Sequence, residues 1–209
     1  MDFGLKICGM REAENILQTA SFQPEYLGFI FYAKSPRYVG DKFALPFGFP
    51  ENILKVGVFV NATIPEMILQ SDRLHLDFLQ LHGNEPVEQV RELKASGAKI
   101  IKVFSVDEQF DFEVTKPYQE YVEYFLFDTK GKYHGGNAET FDWKILDRYD
   151  QQIPFFLSGG LGPDNVREVS TLAGMNLHAL DVNSRVEHSP GVKDPEKLNR
   201  LCEILQSIR

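Results

Sequence analysis

The sequence predicts a parallel α/β fold, most simply a (β/α)8 barrel, from three observations. Eight short apolar runs rich in Val, Ile and Phe are spaced along the 209 residues. These runs are nearly continuous in apolar residues, which is typical of strands covered on both faces. Patterns compatible with helices lie between most of them, and repeated strand–helix alternation indicates a parallel sheet. Eight units in about 200 residues would form a compact closed barrel, and an open doubly wound sheet is the alternative.

Each element is predicted from its local pattern. The expected strands are, in chain order, 5–7, 26–31, 54–60, 78–81, 100–104, 124–127, 155–157 and 179–182. Residues 86–94 form a helical pattern that stops at Ser96-Gly97, as helices often do. Residues 163–169 begin with Pro163, which suits a first helical turn. Residues 195–208 have leucines at three- and four-residue spacing, which predicts an amphipathic terminal helix.

One unit departs from the alternation. Residues 41–52 contain Pro46, Gly48 and Pro50 among three phenylalanines. Because proline and glycine interrupt helices, the second helix is expected to be short or irregular, displaced or absent. No shift in composition marks a linker, so residues 1–209 are expected to form a single (β/α)8 barrel domain.

Composition excludes several classes of partner. The 22 Lys and Arg against 30 Asp and Glu give a net charge of −8, which argues against nucleic acid or an anionic membrane surface. No apolar run reaches the roughly 18 residues of a membrane span, and the start lacks a secretory pattern.

Cys8 and Cys202 lie at opposite ends without metal-type spacing, so free thiols in the cytoplasm are expected. The pattern leaves a monomer and a homodimer equally open.

No cofactor is expected from the motifs present. The five histidines lack a metal-ligand spacing, so a metal site is not predicted. Neither a G-x-G-x-x-G stretch nor a P-loop occurs, which leaves no recognisable nucleotide site.

Chemistry in a barrel is expected where the strands end, because the βα loops there build the active face. The residues at or just past the predicted strand ends are, apart from Pro36, polar or glycine. They are Cys8, Ser35-Pro36-Arg37, Asn61, His82, Ser105, Asp128, Ser158-Gly159-Gly160, Asp181, Asn183 and Ser184.

A phosphate site is predicted after the seventh and eighth strands. Gly159 and Gly160 allow an anion to approach the backbone closely, and a helix start at Pro163 would add free N–H groups. Asn183 and Ser184 can supply further donors, and this is the common phosphate position in such barrels. A tight turn without a ligand is the alternative for the two glycines.

Cys8 and Asp128 form the candidate acid–base pair. A thiol at a barrel mouth can remove a proton, and a carboxyl in a partly desolvated pocket can donate one. An isomerase needs one group of each kind. Taken singly, Cys8 is better explained as a small buried hydrophobe, and Asp128 as a strand-end turn or ion-pair residue.

Arg37 is a candidate for binding a carboxylate. It follows Ser35-Pro36, where the proline stiffens the loop, and a guanidinium there could form two parallel hydrogen bonds with a ligand. A solvated surface arginine is the alternative.

Several segments, in this order, resemble the phosphoribosylanthranilate isomerases of tryptophan biosynthesis. The matching stretches are KICG at 6–9, GFIF at 28–31, SPRYV at 35–39, VGVFVN at 56–61, LQLHG at 79–83, FDW at 141–143, SGGL at 158–161, DVNS at 181–184 and PGVKD at 190–194. Each is weakly specific alone, but together they span the chain in register.

The resemblance implies a (β/α)8 barrel that performs a cofactor-free Amadori rearrangement of a small phosphosugar. The substrate would be N-(5-phosphoribosyl)anthranilate and the product 1-(2-carboxyphenylamino)-1-deoxyribulose 5-phosphate. It implies that Cys8 removes the proton from C2 of the sugar, that Asp128 protonates the furanose oxygen, and that Arg37 holds the anthranilate carboxylate. The implied phosphate site comprises Gly159, Gly160, Asp181, Asn183 and Ser184.

The sequence departs from the family pattern at two places. Arg185 stands where the family usually has glycine, and the loop at 135–140 ends in Asn137-Ala138-Glu139-Thr140 without its last glycine. Both are expected to affect substrate binding more than chemistry, since neither supplies the acid or the base.

Two other functions compete with this interpretation. One is a different phosphosugar barrel enzyme, such as an epimerase or a histidine-pathway isomerase, although metal-binding histidines and paired aspartates are not evident. The other is a non-catalytic phosphate-ligand binding module. The presence of both Cys8 and Asp128 favours catalysis, because binding alone needs neither.

Overall fold

The computed structural model describes residues 3–129 and 143–209 and contains a closed barrel of eight parallel strands. The strands pair in chain order and β8 closes on β1. They are β1 (Gly4–Ile7), β2 (Tyr26–Ile30), β3 (Leu54–Phe59), β4 (Phe78–Leu81), β5 (Ile100–Val106), β6 (Tyr124–Thr129), β7 (Phe155–Ser158) and β8 (Leu177–Val182). The predicted closed barrel is therefore confirmed, and the open sheet is excluded.

Four α-helices lie between or after the strands in the described ranges: α1 (Ala13–Ala20), α2 (Ile64–Leu74), α3 (Val87–Ala95) and α4 (Pro195–Ile208). Helix α2 starts with a capping box in which Thr63 and Glu66 exchange hydrogen bonds, so two of the free N–H groups at its start are satisfied. Helix α4 begins after Asp194, whose side chain accepts from two backbone N–H groups. The predicted helices at 86–94 and 195–208 are confirmed within a residue of their bounds.

In the described residues, 3₁₀ segments of 10, 6 and 7 residues follow β5, β6 and β7. They are Phe112–Tyr121, Trp143–Arg148 and Val166–Leu172. The predicted α-helix at 163–169 is therefore wrong in type and in its start. The side chain of Asn165 accepts a hydrogen bond from the Gly162 N–H at 2.9 Å, which holds residues 162–165 in a turn and delays the helical segment.

The connection between β2 and β3 contains no helix, and all of its residues, 31–53, are described. It is built of turns, and its phenylalanines pack where a helix would otherwise lie. The ring centroids of Phe43 and Phe49 are 5.2 and 6.3 Å from that of Phe29 on the outer face of β2. The second helix, which was expected to be short or irregular, displaced or absent, is absent from the described residues 31–53. The aromatic rings cover β2 in its place.

Two hydrophobic clusters form the core, one outside the barrel wall and one inside it. The larger one lies between the strands and the surrounding helices. The smaller one fills the barrel interior with the residues Tyr26, Val56, Phe78, Ile101, Val103, Leu126, Phe156 and Ala179. Most of these residues stand near the starts of their strands. Because side chains alternate across a strand, the next inward positions lie at the carboxyl end, where the polar residues are found.

A buried ion pair supports the loops at that end. Glu85 Oε2 lies 2.9 Å from Lys102 Nζ, and both side chains are almost fully buried. Glu85 also accepts from the backbone N–H groups of Asn61 and Gly83 at 2.9 and 3.0 Å. The pair therefore ties the loops that follow β3 and β4 to strand β5.

We expect Glu85→Ala to lower the free energy of unfolding by about 3–5 kcal/mol, because it leaves the Lys102 charge buried without its partner. Urea denaturation followed by circular dichroism measures the change. The matched control is Glu88→Ala, at an exposed position three residues away, which should cost less than about 1 kcal/mol. Equal stability of the two variants would contradict a structural role for the pair.

Candidate active site

The carboxyl ends of the strands surround one polar cavity of about 180 Å³. Seven of the eight site residues predicted from the sequence line it, and the eighth, Arg37, lies beside it. The lining residues are Cys8, Ile30, Val58, Gln80, His82, Asp128, Ser158, Gly159, Gly160, Leu161, Asp181, Asn183 and Ser184. The fold therefore brings residues from both ends of the chain into one wall.

Cys8 is positioned by the closing pair of strands. Its backbone N–H donates to the Val182 carbonyl of β8 at 2.9 Å, and its side chain is buried. A Cβ atom on Gly28 would lie 2.7 Å from Cys8 Sγ. Glycine on the neighbouring strand is thus what leaves room for the sulfur at the cavity wall.

Lys6 and Asp181 form a buried ion pair next to this thiol. They are register partners on β1 and β8, and Lys6 Nζ lies 2.9 Å from Asp181 Oδ1. Burial disfavours the charge on Lys6, but Asp181 and Cys8 outweigh it and raise the lysine pKa. Lys6 and Cys8 are two positions apart, so both side chains face the same side of the strand. The ammonium group is therefore held beside the sulfur.

Burial raises the pKa of the Cys8 thiol above its ordinary value, although Lys6 and Lys193 act in the opposite direction. At neutral pH, which is below that pKa, the thiol form predominates in the free protein. The neighbouring cations stabilise the thiolate once it forms.

Asp128 stands on β6, which is separated from β1 by β7 and β8 around the closed barrel. Its carboxylate is half-buried, and Oδ2 lies 3.4 Å from His82 Nε2. The other ring nitrogen of His82 lies 3.3 Å from Gln80 Nε2. Gln80 and His82, on β4 and the loop after it, thus lie next to each other and His82 contacts the Asp128 carboxylate. This carboxylate lies on a different side of the cavity from Cys8.

The glycine loop after β7 has the backbone expected of an anion site. Gly159 and Gly160 have φ angles of 108° and 66°, which non-glycine residues rarely adopt. Successive N–H groups in such turns form concavities that bind anions. Asn183 and Ser184, from the loop after β8, lie in the same wall.

Arg37 reaches the edge of the cavity across Gly9. A Cβ atom on Gly9 would lie 2.7 Å from Arg37 Cδ, so the arginine side chain passes directly over the residue that follows Cys8. Its guanidinium group donates from Nε and Nη2 to Glu187, at 2.8 and 2.6 Å. Among the described contacts, none uses Nη1, which is the part of the group available to a ligand carboxylate.

The sequence analysis missed Lys6, Gln80, Glu187 and Lys193. A signal for Lys6 existed, because a lysine inside an apolar strand must find a partner when it is buried. Its partner on β8 can be named only once the barrel is known to close. The contact between Glu187 and Arg37 joins residues 150 positions apart, so no local pattern indicates it, although Lys193 lies in the PGVKD segment.

Of the two departures from the family pattern, the structure describes one. Arg185 is exposed, is not among the residues with positive φ, and lies in a 3₁₀ turn, Ser184–Val186. Its Cβ lies 2.6 Å from the position that a Cβ on Gly162 would take. Because Arg185 does not have a positive φ, the loop backbone holds this arginine without strain. Glycine at position 162 leaves the space that the Arg185 side chain occupies. The loop at 135–140, including Asn137, Ala138 and Glu139, lies outside the described residues, as do Phe141 and Asp142 of the FDW segment.

Across 3–129 and 143–209, no group of three or more His, Cys, Asp or Glu side chains is arranged to hold a metal ion. Within the same ranges, no helix has the length and apolar character needed to cross a bilayer.

The fold and the cavity define the class, a (β/α)8-barrel enzyme whose polar site lies at the carboxyl ends of the strands. A family model described as N-(5'-phosphoribosyl)anthranilate (PRA) isomerase matches residues 5–204. The chain belongs to this family.

Individual relatives agree with the family model. N-(5'-phosphoribosyl)anthranilate isomerases of Parabacteroides distasonis and Phocaeicola vulgatus are 41% and 40% identical, over 95% and 91% of this chain and 91% of each relative. The crystal structure of phosphoribosyl anthranilate isomerase from Thermotoga maritima superposes with a TM-score of 0.83 at 32% identity, covering 99% of this chain and 100% of that one. A second solved isomerase, in complex with reduced 1-(o-carboxyphenylamino)-1-deoxyribulose 5-phosphate, has a TM-score of 0.80 at 30% identity and the same coverage.

We expect the midpoint for ionisation of the Cys8 thiol in the free protein to lie above the ordinary value for a cysteine, because burial raises its pKa. Cys202→Ala leaves Cys8 as the single thiol of the chain. A pH titration of the ultraviolet thiolate absorbance of this variant, with Cys8→Ser/Cys202→Ala as the blank, measures the midpoint. A midpoint near neutral pH would show that Lys6 and Lys193 outweigh burial, contrary to this expectation.

Proposed function

We propose that the chain converts N-(5'-phosphoribosyl)anthranilate into 1-(2-carboxyphenylamino)-1-deoxyribulose 5-phosphate in tryptophan biosynthesis. One observation carries the proposal most strongly. A thiol, Cys8, and a carboxylate, Asp128, line the same cavity as a glycine loop of anion-binding form in a chain of this family. We further propose that residues 1–209 act as one catalytic domain in the cytoplasm, and that the reaction is an aldose–ketose type intramolecular oxidoreduction.

Substrate binding is assigned to both ends of the cavity. The amides of Gly159 and Gly160, with Asn183 and Ser184 beside them, are proposed to hold the 5'-phosphate. Arg37, at the other edge, is proposed to hold the anthranilate carboxylate through the part of its guanidinium group that Glu187 does not occupy. The reduced product analogue found in a solved member of the family supports this type of ligand.

The first chemical step is opening of the furanose ring. Asp128 donates a proton to the ring oxygen while the C1–O bond breaks, and the anilino nitrogen supplies its electron pair to form an iminium at C1. Asp128 is then a carboxylate. In the structure, Asp128 Oδ2 lies 3.4 Å from His82 Nε2.

The second step is transfer of hydrogen from C2. The iminium acidifies the C2–H bond, so a modest base is sufficient. The Cys8 thiol first loses its proton to solvent, and the thiolate then removes the proton from C2. The C2–H electron pair enters the C1–C2 bond while the iminium pair returns to nitrogen, which gives an enolamine. Protonation at C1 and loss of the O2 proton then give the ketone, so atoms and electrons balance without any added oxidant or reductant. Lys6, beside Cys8, compensates the negative charge of the thiolate.

We expect Cys8→Ser and Asp128→Asn each to lower kcat by about 10²- to 10⁴-fold, because each removes a general acid or base. Substrate binding should persist, since neither change removes a phosphate or carboxylate contact. Loss of the fluorescence of the anthranilate phosphoriboside measures turnover, and a separate titration with the reduced product analogue measures binding. Cys202→Ser and the exposed Asp147→Asn are the matched controls.

Turnover of either active-site variant within a few-fold of the unmodified enzyme would remove that residue from the mechanism. Binding of the analogue without any turnover by the unmodified protein would favour the binding-module alternative. Turnover only in the presence of an added metal ion would favour a different class of phosphosugar enzyme.

A further inference from the structure

A buried carboxylate lies behind the arginine at the edge of the cavity. Glu187 is the first residue of β9 (Glu187–Ser189), which pairs with β10 (Val192–Lys193) in a hairpin after the barrel. Its side chain is only 4% exposed. It accepts from Arg37 Nε at 2.8 Å, Arg37 Nη2 at 2.6 Å, Lys193 Nζ at 2.8 Å and the Gly191 N–H at 3.0 Å.

We propose that Glu187 is a positioning residue that fixes the Arg37 guanidinium group and thereby makes the enzyme selective for substrates that carry the anthranilate carboxylate. This inference rests on the proposed function. A free arginine side chain samples many rotamers, and ordering it on binding costs affinity. A carboxylate that engages two nitrogens of the planar group removes this freedom before the substrate arrives.

The charges around Glu187 suit an anionic ligand. One carboxylate lies between two basic groups, Arg37 and Lys193. Burial lowers the pKa of Lys193 and Glu187 acts against this, so the cluster carries a net positive charge while Lys193 is protonated. Burial opposes the charge of Glu187, but hydrogen bonds from Arg37, Lys193 and Gly191 hold its pKa below the ordinary value. Glu187 therefore remains ionised near neutral pH, and the excess positive charge is left for the substrate carboxylate.

The same cluster is connected to the cavity wall. Lys193 Nζ also lies 2.8 Å from Asn183 Oδ1 and 3.2 Å from the Asn183 carbonyl oxygen. Asn183 Oδ1 and Arg37 Cδ both lie 2.7 Å from the Cβ position of Gly9, which directly follows Cys8. Glu187 thus fixes Arg37 relative to the thiol and to the loop proposed to bind phosphate.

The inference is tested by the selectivity between two substrates. One is the anthranilate phosphoriboside, and the other is the aniline phosphoriboside, which lacks the carboxylate. For Glu187→Gln we expect KM for the anthranilate compound to rise about 10- to 100-fold, the size of one or two charge-assisted hydrogen bonds, with kcat within a few-fold. The aniline compound should be affected little, so the ratio of the two kcat/KM values falls towards one.

Three further variants sharpen the test. Arg37→Met should lower the ratio to the same extent, and Arg37→Met/Glu187→Gln should lower it no further. Glu187→Asp keeps the charge but shortens the reach to Arg37, so it should show the same loss in weaker form if the Gln variant does not fold. The exposed Glu196→Gln is the control and should retain the selectivity of the unmodified enzyme.

Unchanged selectivity in folded Glu187→Gln, or an equal loss of kcat/KM for both substrates, would overturn the positioning role. In either case the unmodified enzyme still turns over the anthranilate compound, so the proposed function stands. Failure of the unmodified enzyme to turn over that compound would refute the proposed function and this inference with it.

Discussion

The pairing of β1 with β8 is the constraint on which the rest of the site depends. It closes the barrel, and its register places Lys6 opposite Asp181, with 2.9 Å between the charged atoms. Two buried charges are tolerated only when they are matched, so a shift of one residue in this seam would be costly. The same register sets the backbone hydrogen bond from Cys8 to Val182. The same strand pairing therefore closes the barrel and positions the Cys8 sulfur.

The pairing of β1 with β8 also affects the pKa of the Cys8 thiol, because it places Lys6 and Asp181 beside it. A sulfur buried beside Gly28 is protected from solvent and has a raised pKa, so it is a stronger base when it becomes a thiolate. Lys6 lowers the free-energy cost of ionising Cys8, but burial outweighs it, so the thiol form still predominates at neutral pH. On the other side of the cavity, Asp128 remains half-exposed beside His82. Two groups with different degrees of burial face one cavity, which is the arrangement that acid–base catalysis needs.

Much of this could be predicted from the sequence, because strand order places the residues after each strand at one end of a barrel. Cys8, Asp128 and the glycine loop were found in this way, and all line the cavity. The contacts of Glu187 could not be predicted, since Arg37 is 150 positions away and no local pattern relates the two segments. The prediction of an α-helix from Pro163 was wrong. The Gly162 N–H donates to the Asn165 side chain, and this local hydrogen bond forms a turn where the helix was expected to begin.

The central claim is that Cys8 and Asp128 act on opposite sides of one bound phosphosugar. A crystal structure of the complex with the reduced product analogue tests this most directly. We predict the phosphate on the amides of Gly159 and Gly160, with Cys8 Sγ within about 4 Å of the sugar C2 and an Asp128 oxygen within hydrogen-bond reach of the oxygen released on ring opening. A ligand bound with its C2 turned away from Cys8, or with its phosphate outside the glycine loop, would contradict the account.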